Sequence, residues 1–399
     1  MNKKKVVMLL IVVIVITATV TVGLMTFIPL KGKVLISYHD FENYRYIMNK
    51  YGKLFELKDY IDDNYYIPVN EEDIMRGLYK GLFQGLGDPY SSYLTSKEYE
   101  DLMISSQGEF QGIGVTVYPA DTGYITVVAP FSGSPADLAG IKGGDKIVKV
   151  DGVEYSAEEM EIAVSKMRGQ PGTSVKITVM REGESGLLDF NIMRANVKIV
   201  SVESELLEDG LGYIRIVSFD ENTADDFKNH LRNLDSQDIS GLIIDLRNNP
   251  GGLVSESIEI ADMLLGKETI IYTEDNKGNK RFYESDREKT EIPYVILVNE
   301  SSASASEILA AAIKDSGEGK IIGTRTFGKG IIQRIQPLEN GDGVKITIAQ
   351  YFSPKGDIIH DVGVEPNILV ELDEEVLESG LITKENDKQL KRAMEVLKR

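Results

Sequence analysis

Three serines at alternate positions, Ser302, Ser304 and Ser306, lead into an alanine-rich helical pattern in NESSASASEILAAAIKD, residues 299–315. A hydroxyl at the amino end of a helix lies among unpaired N–H groups and the positive end of the dipole, surroundings that favour the anionic intermediate of acyl transfer. The same residue types cap helices, and Ser304 with Glu307 three positions on makes a capping box. Taken alone, the stretch leaves nucleophile and cap as alternatives.

A serine nucleophile needs a base. The chain has three histidines: His39 near the first apolar segment, His230 in an acidic helical pattern and His360 after SPKGD; no G-x-S-x-G elbow occurs. Lysine can act as base where burial or the lack of a counter-charge leaves a neutral amine. In GTRTFGKGIIQ, Lys329 sits between two glycines, after Phe327 and before two isoleucines, with no acid nearer in sequence than Glu318 and Glu339. Gln333, four residues on, offers an amide oxygen to an ammonium without adding a charge. In IIDLRNNPGGL, an apolar strand runs into Gly251 and Gly252, whose N–H groups, with that of Ala305, suit an oxyanion hole; a tight strand-to-helix turn is the alternative.

The elements that must hold these groups follow from periodicity. LGYIRIVSF, GLIIDLR, YVILVN and GKIIGT are short apolar runs between helical stretches, which predicts an α/β core on a mostly parallel sheet from 196 to 370. Residues 108–195 alternate strand patterns with glycine-rich turns and one helix, a compact β-rich unit. Residues 34–107 carry helical spacing in YGKLFELKDYIDDNYY and NEEDIMRGLYKGLFQGL, a helical region suited to self-association, and 371–399 reads as a helical tail. Within residues 1–33, the three lysines Lys3 to Lys5 are followed by 25 uncharged residues, Val6 to Leu30, with no small-x-small cleavage pattern around Phe27–Leu30. This is the pattern of an uncleaved single-pass signal anchor, with the lysines on the cytoplasmic side and the remaining units on the extracytoplasmic side of the cell membrane.

Composition narrows the function classes. The net charge is −19, and beyond residue 33 there are 39 basic against 63 acidic side chains, which argues against nucleic acid as a partner. Absence of cysteine excludes disulfides, thiolate zinc sites and a cysteine nucleophile. No residue pattern calls for a metal or cofactor.

Together, SASASEILAAAIKD, GTRTFGKGIIQ, DLRNNPGG and GIGV…SPADLAGIKGGDKIVKVDG, in that family's order over roughly Tyr51 to Pro366, resemble the carboxy-terminal processing peptidases, or tail-specific proteases. The resemblance implies a Ser–Lys protease in which Ser304 is the nucleophile, Lys329 the general base and Gln333 its support, with Gly251 or Gly252 and Ala305 supplying oxyanion N–H groups. It further implies that residues 108–195 form a PDZ domain. Gly112, Ile113, Gly114 and Val115 would be its carboxylate-binding loop, receiving an apolar protein tail by strand addition. Arg168, where the PDZ helix ends, is placed to couple that domain to the protease core or simply to cap its helix. Substrates would be flexible proteins with apolar carboxy-terminal residues; the helical ends of the chain, not the resemblance, suggest a homodimer. A catalytically silent PDZ scaffold is the alternative; a penicillin-binding S-x-x-K enzyme is disfavoured because Glu307 stands three residues after Ser304.

Overall fold

The computed structural model describes residues 2–27, 36–379 and 382–398. The domain junction expected at residues 33 and 34, and the Ile28–Leu30 stretch, lie outside them. Two compact units form, Met1–Leu78 and Tyr79–Arg399.

In the first unit, the helix Lys3–Phe27 carries an apolar window, Lys3–Leu24, long enough to cross a membrane, with none of it buried. The helix Tyr38–Asn64 starts where the Ser37 hydroxyl accepts from the Asp40 N–H at 3.1 Å, an ordinary N-cap. Despite an aromatic and aliphatic set that includes Phe41, Tyr44, Tyr51 and Phe55, none of its residues is buried.

The second unit contains the β-rich domain and the core. Five antiparallel strands, from Val115–Pro119 to Leu187–Met193, enclose Ile125, Val127, Ile147, Ile177 and Ile192, with the helix Met160–Met167 against them. Asp145, almost fully buried, is held by Arg181 through two contacts of 2.7 Å and fixes the glycine-rich turn before the strand Lys146–Val150. A two-strand ladder, Glu109–Gly112 with Ala195–Lys198, joins this domain to the rest.

The core is built on a six-stranded sheet in the order Val202–Leu206, Leu211–Ile216, Gly241–Asp245, Tyr294–Val298, Lys320–Gly323 and Ile368–Leu369. The apolar runs are continuous because both faces are covered. Leu242, Ile244 and Ile296 face the helices Thr223–Asp235, Val254–Leu264 and Ala305–Ser316, while Ile243, Val295 and Leu297 face the C-terminal helix Lys388–Leu397. The terminal segment is thus a layer of the core.

A core resting on one mostly parallel sheet is not what the chain forms. Parallel ladders are confined to that six-stranded sheet, whose first pair is already antiparallel. A second sheet of the core, made by Ser92–Leu94, Gly343–Phe352, Thr269–Asp275, Lys280–Glu284 and Ile331–Pro337, is antiparallel throughout, as is the β-rich domain. Its strands are largely half-exposed and mixed in polarity, so they lack the long unbroken apolar runs from which the parallel strands are predicted.

Candidate active site

The strand Tyr294–Val298 ends at Asn299, and a short turn delivers Ser304 as N-cap of the helix Ala305–Ser316. Two serines of the turn are consumed in holding it. Ser302 donates its hydroxyl to the Leu246 carbonyl at 2.8 Å and accepts from the Asn299 N–H at 2.9 Å, and Ser306 donates to the Asn249 carbonyl at 3.1 Å. The side chain of Asn299 accepts from the Asn248 N–H and donates to the Asn248 side chain, each at 2.9 Å. These bonds stitch the serine turn to the loop that follows Asp245.

Ser304 differs from its neighbours. Its hydroxyl makes no cap hydrogen bond to the helix, and its backbone lies at φ 56°, ψ −112°, where residues with side chains rarely sit. Such a conformation persists only where its surroundings impose it. The imposing group is Glu307, wholly buried, which supplies the carboxylate half of the capping box by accepting from the Ser304 N–H at 2.9 Å. The same carboxylate accepts from the N–H groups of Gly328 at 2.7 Å and Lys329 at 2.8 Å, and from the Thr326 hydroxyl at 2.6 Å. Tyr351 closes the arrangement from the antiparallel sheet, its buried hydroxyl lying 3.0 Å from the Ser304 carbonyl and also bonded to that of Lys329. Burial keeps its phenol well above the ordinary pKa, so it remains a donor.

Lys329 is half-buried, with Nζ 5.0 Å from the centroid of the Tyr90 ring. Burial, and secondarily the Lys345 ammonium, hold its pKa below the ordinary lysine value, while Asp88 and Glu307 pull it back up. The chain separation of nearby acids was therefore a poor guide to the field at Lys329. Among the described residues Lys329 Nζ has no ion pair and no hydrogen bond to Ser304. Gln333 lies on the next strand, where its amide donates to the Thr347 hydroxyl at 3.4 Å.

Gly251, at φ 98°, is pressed against the serine turn: a Cβ there would fall 2.7 Å from Ser304 Cβ and 3.0 Å from the Ala305 nitrogen. Only glycine permits that approach. Its N–H, however, goes to the Asn249 side chain at 2.8 Å. Gly252 is docked on Phe219 by a bridge that leaves its own N–H unused, and Ala305, as first helical residue, has no helical acceptor for its N–H.

In the β-rich domain, Gly112 ends a strand, Ile113 is buried, and Gly114 packs so closely on Ser134 that a Cβ would come within 2.4 Å. Ile113, Gly114 and Val115, but not Gly112, line an open cavity of about 280 Å³ together with Phe110, Phe131, Val164 and Met167. Arg168 lines the same cavity and pairs with Asp101 at 3.3 Å and Glu100 at 3.6 Å. Both acids belong to the helix Ser96–Gln107, so Arg168 reaches the segment that precedes its domain.

These features define a serine-type peptidase with a peptide-binding domain. Residues 210–370 match peptidase family S41, and residues 111–192 match a PDZ domain. Carboxy-terminal processing protease CtpA of Bacillus subtilis (strain 168) is 36% identical over 326 residues, covering 81% of this chain and 70% of its own. CtpB of the same organism is 37% identical, covering 81% and 68%. Among solved structures, the photosystem II D1 C-terminal processing protease is similar at 27% identity with a TM-score of 0.47, covering 84% of this chain and 94% of that one. The chain belongs to the carboxy-terminal processing protease family.

Sequence reasoning treated Glu307 as a capping residue and did not single out Tyr351, Tyr90 or Asp387. An acid set directly before the unbroken apolar run Ile308–Ile313 was the available signal for Glu307. Glu307→Gln keeps the shape but replaces one acceptor oxygen by a donor facing donors. It is expected to cost roughly 3 kcal/mol or more of stability and to lower kcat more than it raises KM, as measured by denaturant unfolding and steady-state cleavage.

Proposed function

We propose that this protein is a membrane-anchored endopeptidase that takes the carboxy-terminal tail of a flexible protein into its PDZ domain and cuts peptide bonds with a Ser304–Lys329 dyad. The observation that carries the reading is that, of the three buried serines in the turn, Ser302 and Ser306 donate their hydroxyls to backbone carbonyls, whereas among the described residues the Ser304 hydroxyl donates to no acceptor. Ser304 Oγ attacks the scissile carbonyl carbon as its proton passes to neutral Lys329 Nζ. The oxyanion is met by the Ala305 N–H and one from the Gly251–Gly252 turn. Collapse breaks the C–N bond, Lys329 returns the proton to the leaving amine, and water, deprotonated by the same amine, hydrolyses the ester and restores Ser304. Gln333 would assist by turning from Thr347 toward the lysine when substrate is bound.

The apolar cavity beside Gly112–Val115 suits an apolar last residue whose carboxylate meets the loop N–H groups. The helix Lys3–Phe27, preceded by Asn2 and opening on three lysines, serves as a cytoplasm-in anchor that leaves the peptidase outside. The unburied aromatic set of the helix Tyr38–Asn64 suits a homodimer contact.

An unstructured reporter protein ending in apolar residues tests this reading. Full-length enzyme in detergent should cut it, amidation of its terminal carboxylate should slow cleavage about tenfold or more, and a serine-directed phosphonate should label the Ser304 peptide. Equal rates for free and amidated tails would remove the tail-sensing role, and labelling elsewhere would remove Ser304.

A further inference from the structure

Lys329 has one contact that the catalytic cycle above leaves unused, the face of Tyr90. The ring is held in place by the backbone around it. Asp88 accepts from the Tyr90 N–H at 2.9 Å, from the Ser91 hydroxyl at 2.6 Å and from the Thr347 hydroxyl at 2.6 Å, and Ser92–Leu94 then pairs with the strand Gly343–Phe352. The ring edge packs on His360 with centroids 6.3 Å apart. The Tyr90 hydroxyl has no hydrogen bond among the described residues, so what the side chain offers the lysine is its π face.

We propose that Tyr90 is a positioning residue: its ring seats the Lys329 ammonium in the resting enzyme, where Nζ has no hydrogen bond to Ser304 among the described residues, and the lysine leaves that seat as the neutral amine that serves as base. This rests on the Ser304–Lys329 reading and adds to it the group that decides where the lysine waits. A cation is drawn to a ring face and a neutral amine is not, so the seat discriminates between the two protonation states of one side chain. The charged and titratable groups around it are Asp88 on the segment of Tyr90 itself, Glu307 on the serine helix, Lys345 and Tyr351 on the antiparallel strand, and His360 and Asp361 on the loop beneath. Asp88 and Glu307 favour the ammonium and Lys345 disfavours it. The ring adds to the first group, so its removal makes the lysine easier to deprotonate.

The test is the pH dependence of kcat/KM on a reporter without titrating groups near the cut, for the wild type, Tyr90→Phe, Tyr90→Leu and Lys329→Ala. Tyr90→Phe retains the ring face and should superimpose on the wild type. Tyr90→Leu retains apolar bulk without it, and its acidic limb should move down by roughly half to one pH unit, leaving about 3–10-fold more activity, relative to its own plateau, at a pH on that limb. Loss of packing alone would lower the plateau without this displacement. If Tyr90→Leu does not fold, pentafluorophenylalanine at position 90 keeps the shape, removes the electron-rich face and should give the same displacement. An unmoved or upward-moving limb overturns the proposal, as does a Phe variant that behaves like Leu. Wild-type cleavage by Lys329→Ala would overturn the dyad itself, whereas an inactive Lys329→Ala with an unmoved Leu limb would remove only the Tyr90 seat.

Discussion

Ser304→Ala is expected to reduce cleavage of an unstructured reporter by about four orders of magnitude or more, and Lys329→Ala to bring it to nearly the same floor. Nucleophile and base act in one proton-coupled step, so removing either leaves the other with nothing to do, and the double variant should be scarcely worse than the singles. Whatever remains would come from substrate positioning and the backbone N–H groups of Ala305 and the Gly251–Gly252 turn. Lys329→Arg should not rescue: a guanidinium does not deprotonate at working pH and cannot accept the serine proton. Binding of an apolar tail peptide, read by calorimetry, should be unchanged in all four variants, because the cavity beside Gly112–Val115 is lined by none of these residues. A lysine variant that retains more than about one part in a hundred of wild-type kcat would show that another group serves as base.

What was legible in the sequence was local. The serine turn, the FGKG segment and the NPGG turn each read as a candidate within a dozen residues, and only taken together do they resemble the processing peptidases. The two-faced burial of the parallel strands likewise shows as unbroken apolar runs such as Leu242–Ile244 and Val295–Leu297. What was not legible was approach in space. Lys329 reads as remote from any acid, yet the fold brings Glu307 to its backbone and Asp88 near its side chain. Gln333 reads as a partner for the lysine because both lie on one short segment; its bond to Thr347, a residue of the neighbouring strand that also binds Asp88, could not be read from that segment. The antiparallel sheet was missed for a related reason. Its strands Ile331–Pro337 and Gly343–Phe352 mix Gln, Arg and Lys with aliphatic residues, and their order in the sheet depends on pairing with residues far along the chain, such as Ser92–Leu94.

The same long-range logic makes the C-terminal helix a second sensitive point, at a distance from the serine. Arg247 closes the strand-end motif just before the Asn248–Gly252 turn and is nearly buried, bonded at 2.6 Å to Asp245, at 2.9 Å to Asp387 and at 3.1 Å to Gln389. Burial lowers its proton affinity, but the two carboxylates more than restore it, and the guanidinium stays charged. Asp387 also caps the C-terminal helix, accepting from the Leu390 N–H at 2.9 Å, so one carboxylate fixes both the helix that covers Ile243 and Leu297 and the arginine at the root of the glycine turn. Asp387→Ala strips a buried cation of one partner, which costs about 3–5 kcal/mol, and removes the cap as well. The expected result is a fall in Tm of roughly 6–15 °C, with kcat lowered at temperatures where the variant is still folded, because the turn facing Ser304 is no longer anchored. Asp387→Asn keeps a capping oxygen and loses the charge, and should fall between alanine and wild type. Calorimetry together with the rate of phosphonate labelling at Ser304 reads both effects. An alanine variant that melts within a degree or two of the wild type would mean that Asp245 alone satisfies Arg247 and that the C-terminal helix is held by its apolar face, Leu390 and Ala393, without help from the buried pair.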